Sequence, residues 1–198
     1  MRERFVRNPL ACLEPTPLIR LETTAELTAA TERLARRSPD GLAAFIVSLV
    51  HMSGLVREQV IDFVAADNLP ELDTHLRQHI QWLRQDGERR WRAAKGTSIA
   101  IRLESLLDSI ENSVLPVDAA RALALLALLI ESDSAAMEQC ADAHYEVGCA
   151  IERACTLVGI AAASLPPEST REALQRLLAR DDYGCRRSLV AVIDGLAQ

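Results

Sequence analysis

The most apolar part of the chain lies between residues 116 and 166 and contains two helical segments. The first, Ala119 to Ile130, consists of Ala, Leu and Ile apart from Arg121. A polar break, Glu131-Ser132-Asp133-Ser134, separates it from a second helical pattern that continues to Leu165. Because a helix that is apolar on every face must be covered on every face, we predict a helical hairpin whose first arm is a central buried helix.

The rest of the pattern predicts further helices joined by short breaks. Thr23 and Glu26 have the spacing of a capping box at the start of the first of them. No strand pattern of adequate length is present, so we predict an all-α fold of about nine antiparallel helices, arranged as a bundle or a short α-α superhelix. The predicted helices cover approximately residues 24–37, 42–53, 55–66, 71–95, 98–113, 119–130, 135–165, 170–181 and 185–196. The predicted inward positions are Leu27, Ala30, Leu34, Leu72, Leu76, Ile80, Leu83, Ile99, Leu103, Leu106 and Ile110.

Length and composition limit the domain organisation and the location. The first 22 residues contain three prolines and no sustained helical period, so we predict an extended arm over 1–22 and a single helical domain over 23–198. Five cysteines, without a secretory leader pattern, are typical of a reducing cytoplasm. No apolar run reaches the roughly 18 residues of a membrane span. The net charge of -6 argues against a general nucleic-acid binder.

Two charged segments are candidates for partner binding. Glu138, Asp142 and Glu146 follow each other at four-residue steps, in a region of six acids without Arg or Lys. Residues 77–95 are basic, with Trp82 and Trp91 among the cations, and this combination can bind phosphate backbones and stack on bases. Arg84, Arg89, Arg90 and Arg92 are the candidate binding residues of that segment. A charged protein partner, a nucleic acid, and a solvated or intramolecular face are the three interpretations of these segments.

Catalytic and metal-binding patterns are not complete. Glu71, His75 and His79 share one helix face, but without a further ligand they are ordinary surface residues, so we predict no metal and no cofactor. Cys140 and His144 are also four residues apart, yet no orienting group or oxyanion site accompanies them. The cysteines are therefore predicted to be buried structural thiols.

From about Leu72 onward, the chain resembles an uncharacterised bacterial all-helical domain that is sometimes joined to a SWIM zinc finger. The resemblance is carried by the break at 131–134, by Val147-Gly148, by Ala154-Cys155 and by Asp181-Asp182-Tyr183-Gly184. It implies an α-helical domain and no established activity. No functional residue follows from it.

These observations predict a cytoplasmic helical protein that acts through its surface as a protein-interaction or scaffold module. One alternative is a nucleic-acid-binding protein that uses residues 77–95. A second is an enzyme or metal-binding protein with a site between helices. A homo-oligomer is also compatible with the sequence, and no membrane association is predicted.

Overall fold

A computed structural model describes residues 23–85, 96–139 and 145–197, and the regular secondary structure of these residues is entirely helical. The predicted all-α class is confirmed. The predicted arm, 1–22, lies outside the described residues. The helices are α1 (Thr24–Ala35), α2 (Pro39–Met52), α3 (Gly54–Ala65), α4 (Leu69–Gln85), α5 (Gly96–Ser109) with a π-helical continuation (Ile110–Val114), α6 (Ala119–Ile130), α7 (Asp133–Gln139), α8 (Glu146–Ala162), α9 (Pro167–Leu178) and α10 (Ser188–Gly195).

The chain divides into two compact units, Met1–Leu49 and Val50–Gln198, and the boundary lies within α2. In the first unit, α1 begins with the predicted capping box. The Thr23 hydroxyl accepts a hydrogen bond from the Glu26 amide at 3.3 Å, and the Glu26 carboxylate accepts one from the Thr23 amide at 3.0 Å. Neither α1 nor α2 contains a buried residue. The predicted burial of Leu27 and Leu34 is therefore wrong, since both side chains are about half exposed.

The core of the second unit is organised around α8, which packs against α5, α6, α7 and α10. Small residues on its buried face allow these helices to approach closely. Its buried residues are Val147, Gly148, Ala150, Ile151, Ala154, Cys155, Leu157, Val158, Ala161 and Ala162. The predicted inward faces of α4 and α5 are confirmed at Leu72, Leu76, Ile80, Leu83, Ile99, Leu103, Leu106 and Ile110.

The predicted central helix, α6, has the bounds that its apolar run indicates. The Asp118 carboxylate caps it by accepting a hydrogen bond from the Arg121 amide at 2.9 Å. Its buried residues are Ala122, Leu125, Leu126, Leu129 and Ile130. Ala120 and Ala124 are exposed, so the prediction that every face is covered was wrong. Small alanines tolerate either environment, and an all-apolar sequence therefore does not identify the outer face.

The second arm of the predicted hairpin is not one continuous helix. Tyr145 has left-handed backbone angles, with φ of 57°, and α8 begins only after it. The Tyr145 ring occupies space that Gly148 leaves open, because a Cβ atom at Gly148 would lie 2.3 Å from that ring. The predicted start of the next helix at a Ser169 cap was also wrong, because α9 already begins at Pro167.

Candidate functional site

The acidic residues predicted to form one stripe are divided between two helices. Glu138 is exposed on α7, and Glu146 is the first residue of α8. Asp142 lies outside the described residues. Because Tyr145 interrupts the helical path, the spacing between Glu138 and Glu146 does not place them on one helix face. Their role in partner binding stays a prediction.

The described part of the basic segment makes contacts within the chain. Arg84 of α4 donates hydrogen bonds to the carboxylate and the backbone carbonyl of Glu131, each at 3.4 Å. Trp82 lies under the guanidinium of Arg102, whose central carbon is 5.0 Å from the ring centroid. These contacts occupy groups that the nucleic-acid alternative requires to be available. The other predicted binding residues of this segment, Arg89, Arg90 and Arg92, lie outside the described residues.

An arginine that the sequence analysis did not single out joins α5 to α8. Arg153 bonds to Asp108 at 2.7 Å, to Glu111 at 2.5 Å and also to Glu104. Burial acts to lower the pKa of Arg153, but the hydrogen bonds to these three carboxylates raise it above its ordinary value. Since the three acids repeat at helical spacing along one face, the single charge of Arg153 offsets part of the repulsion among them.

The metal candidates Glu71 and His79 have different surroundings in the structure. Glu71 accepts a hydrogen bond from the Asn68 side chain at 3.1 Å, whereas His79 faces a cleft described below. Among the described residues, the one group of three ligand atoms within 4.8 Å of one another belongs to Asp133, Asp181 and Cys185. Glu71, His75 and His79 do not form such a group.

The positive group in the cluster of Asp133, Asp181 and Cys185 is the guanidinium of Arg186. Arg186 is 2% exposed and Asp133 is fully buried. Two nitrogens of the guanidinium contact the two carboxylate oxygens at 2.8 and 2.6 Å. The same guanidinium donates to the carbonyls of Leu177 at 2.6 Å and Ile130 at 3.2 Å. Arg186 therefore joins the ends of α6 and α9 to the start of α7, and its charge disfavours a metal ion at this place.

The cysteines differ in their accessibility. Cys155 and Cys185 are buried, whereas Cys149 is exposed, so the prediction of buried thiols is confirmed for two residues and wrong for the third. Burial raises the pKa of Cys155 to about 12 and that of Cys185 to about 11, which keeps both as unreactive thiols at neutral pH. The predicted pair of Cys140 and His144 lies outside the described residues.

A cleft with converging polar groups lies between α3, α4 and α5, within the second unit. Its volume is about 260 Å³. One wall is a stack in which Arg102 lies over Trp82 and contacts the two carboxylate oxygens of Glu58 at 3.1 and 2.8 Å. The apolar lining comes mainly from Leu55, Leu83 and Leu106. Clefts of this kind, apolar with a few converging polar groups, are typical ligand sites.

Asp62 of α3 is the most unusual residue of the cleft. It is only 4% exposed, although it carries a carboxylate. One oxygen, Oδ2, accepts a hydrogen bond from the Ser109 hydroxyl at 3.2 Å, while the buried Oδ1 has no hydrogen-bond partner. Burial raises the pKa of Asp62, and His79, the Ser109 hydroxyl and His75 act in the opposite direction. An acid inside the apolar run Val60-Ile61-Asp62-Phe63-Val64 is the sequence signal that identifies this position.

Asp62→Asn is expected to stabilise the protein at neutral pH by about 1 kcal/mol, because a buried charge with an unsatisfied oxygen is replaced by a neutral amide of similar shape. The folded pKa of Asp62 is raised above 3.8, so the native state binds this proton more tightly than the unfolded chain does. The wild-type stability contribution of Asp62 is therefore lost as the pH rises through the folded pKa.

Urea denaturation at several pH values measures this effect. The gain from Asp62→Asn should be smallest in acid and should grow as the pH rises. The other ionisable groups around the site are Glu58, His75, His79 and Arg102. Asp67→Asn is the matched control, because Asp67 is an exposed acid just beyond α3. Equal effects of the two substitutions at every pH would contradict the assignment of a destabilising buried carboxylate.

Comparison of the chain with known proteins identifies no relative. No family model matches the chain, and no curated protein or solved structure matches it either. The resemblance to the helical domain that accompanies SWIM zinc fingers thus stays a prediction. Within the described residues, no helix is both long and apolar enough to cross a membrane.

Proposed function

We propose that this protein is a helical protein-interaction or scaffold module that binds its partner through the apolar side chains of α1 and α2. One observation carries the proposal: these helices expose large apolar residues and bury none. Phe45 is 52% exposed and Val47 is 55% exposed. The other large apolar residues exposed on these helices are Leu27, Leu34, Ile46 and Met52. Large apolar side chains that are exposed together on one element are typical of surfaces that other proteins cover.

The stability of isolated helices supports the same proposal. Helices of 12 and 14 residues, such as α1 and α2, are marginal in water without packing of an apolar face. Asp40 and His51 are the only ionisable residues of α2. The helix therefore has few charged groups that favour its exposure to water. Full burial of one side chain such as Phe45 contributes about 1.5–3 kcal/mol. A partner that covers α2 would therefore stabilise the helix and gain affinity from it.

The chemistry of this surface favours a protein over a nucleic acid. Apolar side chains contribute to helix-in-groove binding between proteins, whereas a phosphate backbone requires exposed cations. The net charge of -6 acts against binding to phosphates. In the described part of residues 77–95, Arg84 is already paired with Glu131.

Photo-crosslinking tests the proposal. We expect p-benzoylphenylalanine at position 45 to form an intermolecular protein adduct in the source cells, because the Phe45 side chain is 52% exposed on an apolar helix. The same amino acid at Gln175, an exposed polar position of α9, is the control and should form no such adduct. The adduct at position 45 should disappear when Val47→Asp is added, since the charge cannot be buried without a partner.

Mass spectrometry of the adduct identifies the partner, and a covalent dimer of this chain would make the partner a second copy. Crosslinks at position 45 that are no more frequent than at position 175 would contradict the proposal. Crosslinks that connect position 45 only to residues of the same molecule would contradict it as well.

A further inference from the structure

We propose that the cleft between α3, α4 and α5 binds a small organic cation, whose ammonium group donates hydrogen bonds to the Asp62 carboxylate. The hydrocarbon part of this ligand contacts the leucines of the cleft. The site lies in the second unit and does not depend on the apolar helices proposed above to bind a protein.

The balance of charge in the cleft favours a cation. Glu58 and Arg102 neutralise each other through contacts of 3.1 and 2.8 Å. Asp62 has no guanidinium or ammonium partner in the described ion pairs, and Ser109 supplies only a neutral donor, at 3.2 Å. His79 and His75 also act on this carboxylate through their charge, but neither donates a hydrogen bond to it among the described contacts. The Asp62 carboxylate therefore remains a negative group of the cleft lining without a bonded cation, and low polarity strengthens its attraction for a positive ligand.

Hydrogen bonding favours a ligand that donates. Buried side-chain oxygens in native proteins nearly always have a partner, but Asp62 Oδ1 has none. An ammonium group offers three donors and no acceptor, so it can satisfy the carboxylate while it neutralises its charge. Hydrogen bonds between two charged groups are about twice as strong as those between neutral groups. An anionic ligand would add a second negative charge beside an unsatisfied acceptor.

The size and lining of the cleft define the rest of the ligand. A volume of about 260 Å³ lies just below the ~300–1,000 Å³ of sites for drug-sized molecules, so the ligand is small. Leu55, Leu83 and Leu106 provide an apolar surface for a short hydrocarbon chain. The ring of Trp82 already carries Arg102 at 5.0 Å, which leaves Asp62 as the position for a further cation.

A metal ion fits this cleft less well than an organic cation. A metal requires several ligand atoms close together. Among the described residues, the group that meets this spacing does not include Asp62 or His79. The apolar lining also gives a hydrated metal ion no compensation for its lost water.

Titration of the full chain with propylammonium chloride, followed by amide nuclear magnetic resonance, tests the proposal. We expect saturable shifts at residues around Asp62, Arg102 and Ser105, which line the cleft. 1-Propanol and sodium propionate are the matched neutral and anionic probes, at constant ionic strength. Both should bind at least about tenfold more weakly, because neither forms the charge-assisted hydrogen bonds to Asp62.

Substitutions at Asp62 and Asp67 test whether propylammonium binds to the Asp62 carboxylate. Asp62→Asn should weaken propylammonium binding by about tenfold or more, while Asp67→Asn should leave it unchanged. Urea denaturation of Asp62→Asn, which is expected to be at least as stable as the wild type, distinguishes lost binding from unfolding. Equal binding of 1-propanol and propylammonium would overturn the proposal. Unchanged binding by Asp62→Asn, or no saturation at the highest concentration that leaves the fold intact, would overturn it too.

Discussion

Replacing Arg186 by Met is expected to lower the free energy of unfolding by about 3–5 kcal/mol, the largest effect of any single substitution considered. Arg186 is 2% exposed and its partner Asp133 is fully buried. Methionine fills much of the same volume but leaves the buried Asp133 carboxylate without its counterion. The carbonyls of Ile130 and Leu177 would lose their guanidinium donors at the same time. Urea denaturation followed by circular dichroism measures the loss.

Arg187→Met is the matched control, because Arg187 is the adjacent residue and is exposed. A surface substitution of this kind should change stability by no more than about 0.5 kcal/mol. Similar losses for the two variants would show that the buried ion pair does not hold the helix ends together.

A double variant, Arg186→Met with Asp133→Asn, separates the charge from the hydrogen bonds. Removing both charges of a buried pair is often close to neutral, whereas removing one is costly. Here the Ile130 carbonyl still lacks its guanidinium donor, whereas the Leu177 carbonyl keeps the backbone amide of Arg180, at 3.3 Å. A buried group left without a donor costs about 1–3 kcal/mol. The double variant should therefore recover only part of the loss. Full recovery would mean that the uncompensated charge, and not the carbonyls, accounts for the effect.

The helical class could be predicted from the sequence because it depends on local spacing. The apolar positions of α4 and α5 recur at helical intervals, and residues such as Leu72 and Leu103 are buried as expected. Caps at Thr23 also follow from residues within one turn. In contrast, the break before α8 depends on a left-handed Tyr145, a conformation that its residue type does not indicate.

The buried charges could not be predicted in the same way, because their partners are remote in sequence. Arg186 and Asp133 are separated by 53 positions, and the polar break that contains Asp133 does not indicate an arginine partner. Asp62 is different. Its position in an apolar run is a visible signal, but the cleft beside it forms only when α3 packs against α4 and α5. The sequence analysis therefore singled out His79 on α4 but not Asp62, the carboxylate that lines the same cleft.

The exposure of α1 and α2 is a further point at which local pattern and structure disagree. The apolar spacing of Leu27 and Leu34 predicts burial, yet both are about half exposed. An amphipathic pattern indicates that a face is suited to burial, but it does not identify which surface covers it. A covering surface supplied by another protein would reconcile the pattern with the exposure, and this is the physical basis of the proposed interaction.

Leu126→Ala in α6 is expected to lower the free energy of unfolding by about 2–5 kcal/mol, since Leu126 is fully buried and its neighbours cannot fill the resulting cavity. Ala124→Lys, two residues earlier, should cost no more than about 0.5 kcal/mol, because Ala124 is exposed and lysine is a good helix former. Thermal or urea denaturation of both variants measures the difference.

These two substitutions distinguish the structure from the sequence pattern of α6. The pattern alone, a helix apolar on every face, assigns both positions to the interior. If both were buried, Ala124→Lys would introduce a charge without a partner and would cost more than the loss of a leucine side chain. A small cost at Ala124 and a large one at Leu126 instead require a helix with one exposed edge. A large cost at both would contradict the arrangement in which Ala120 and Ala124 face outward.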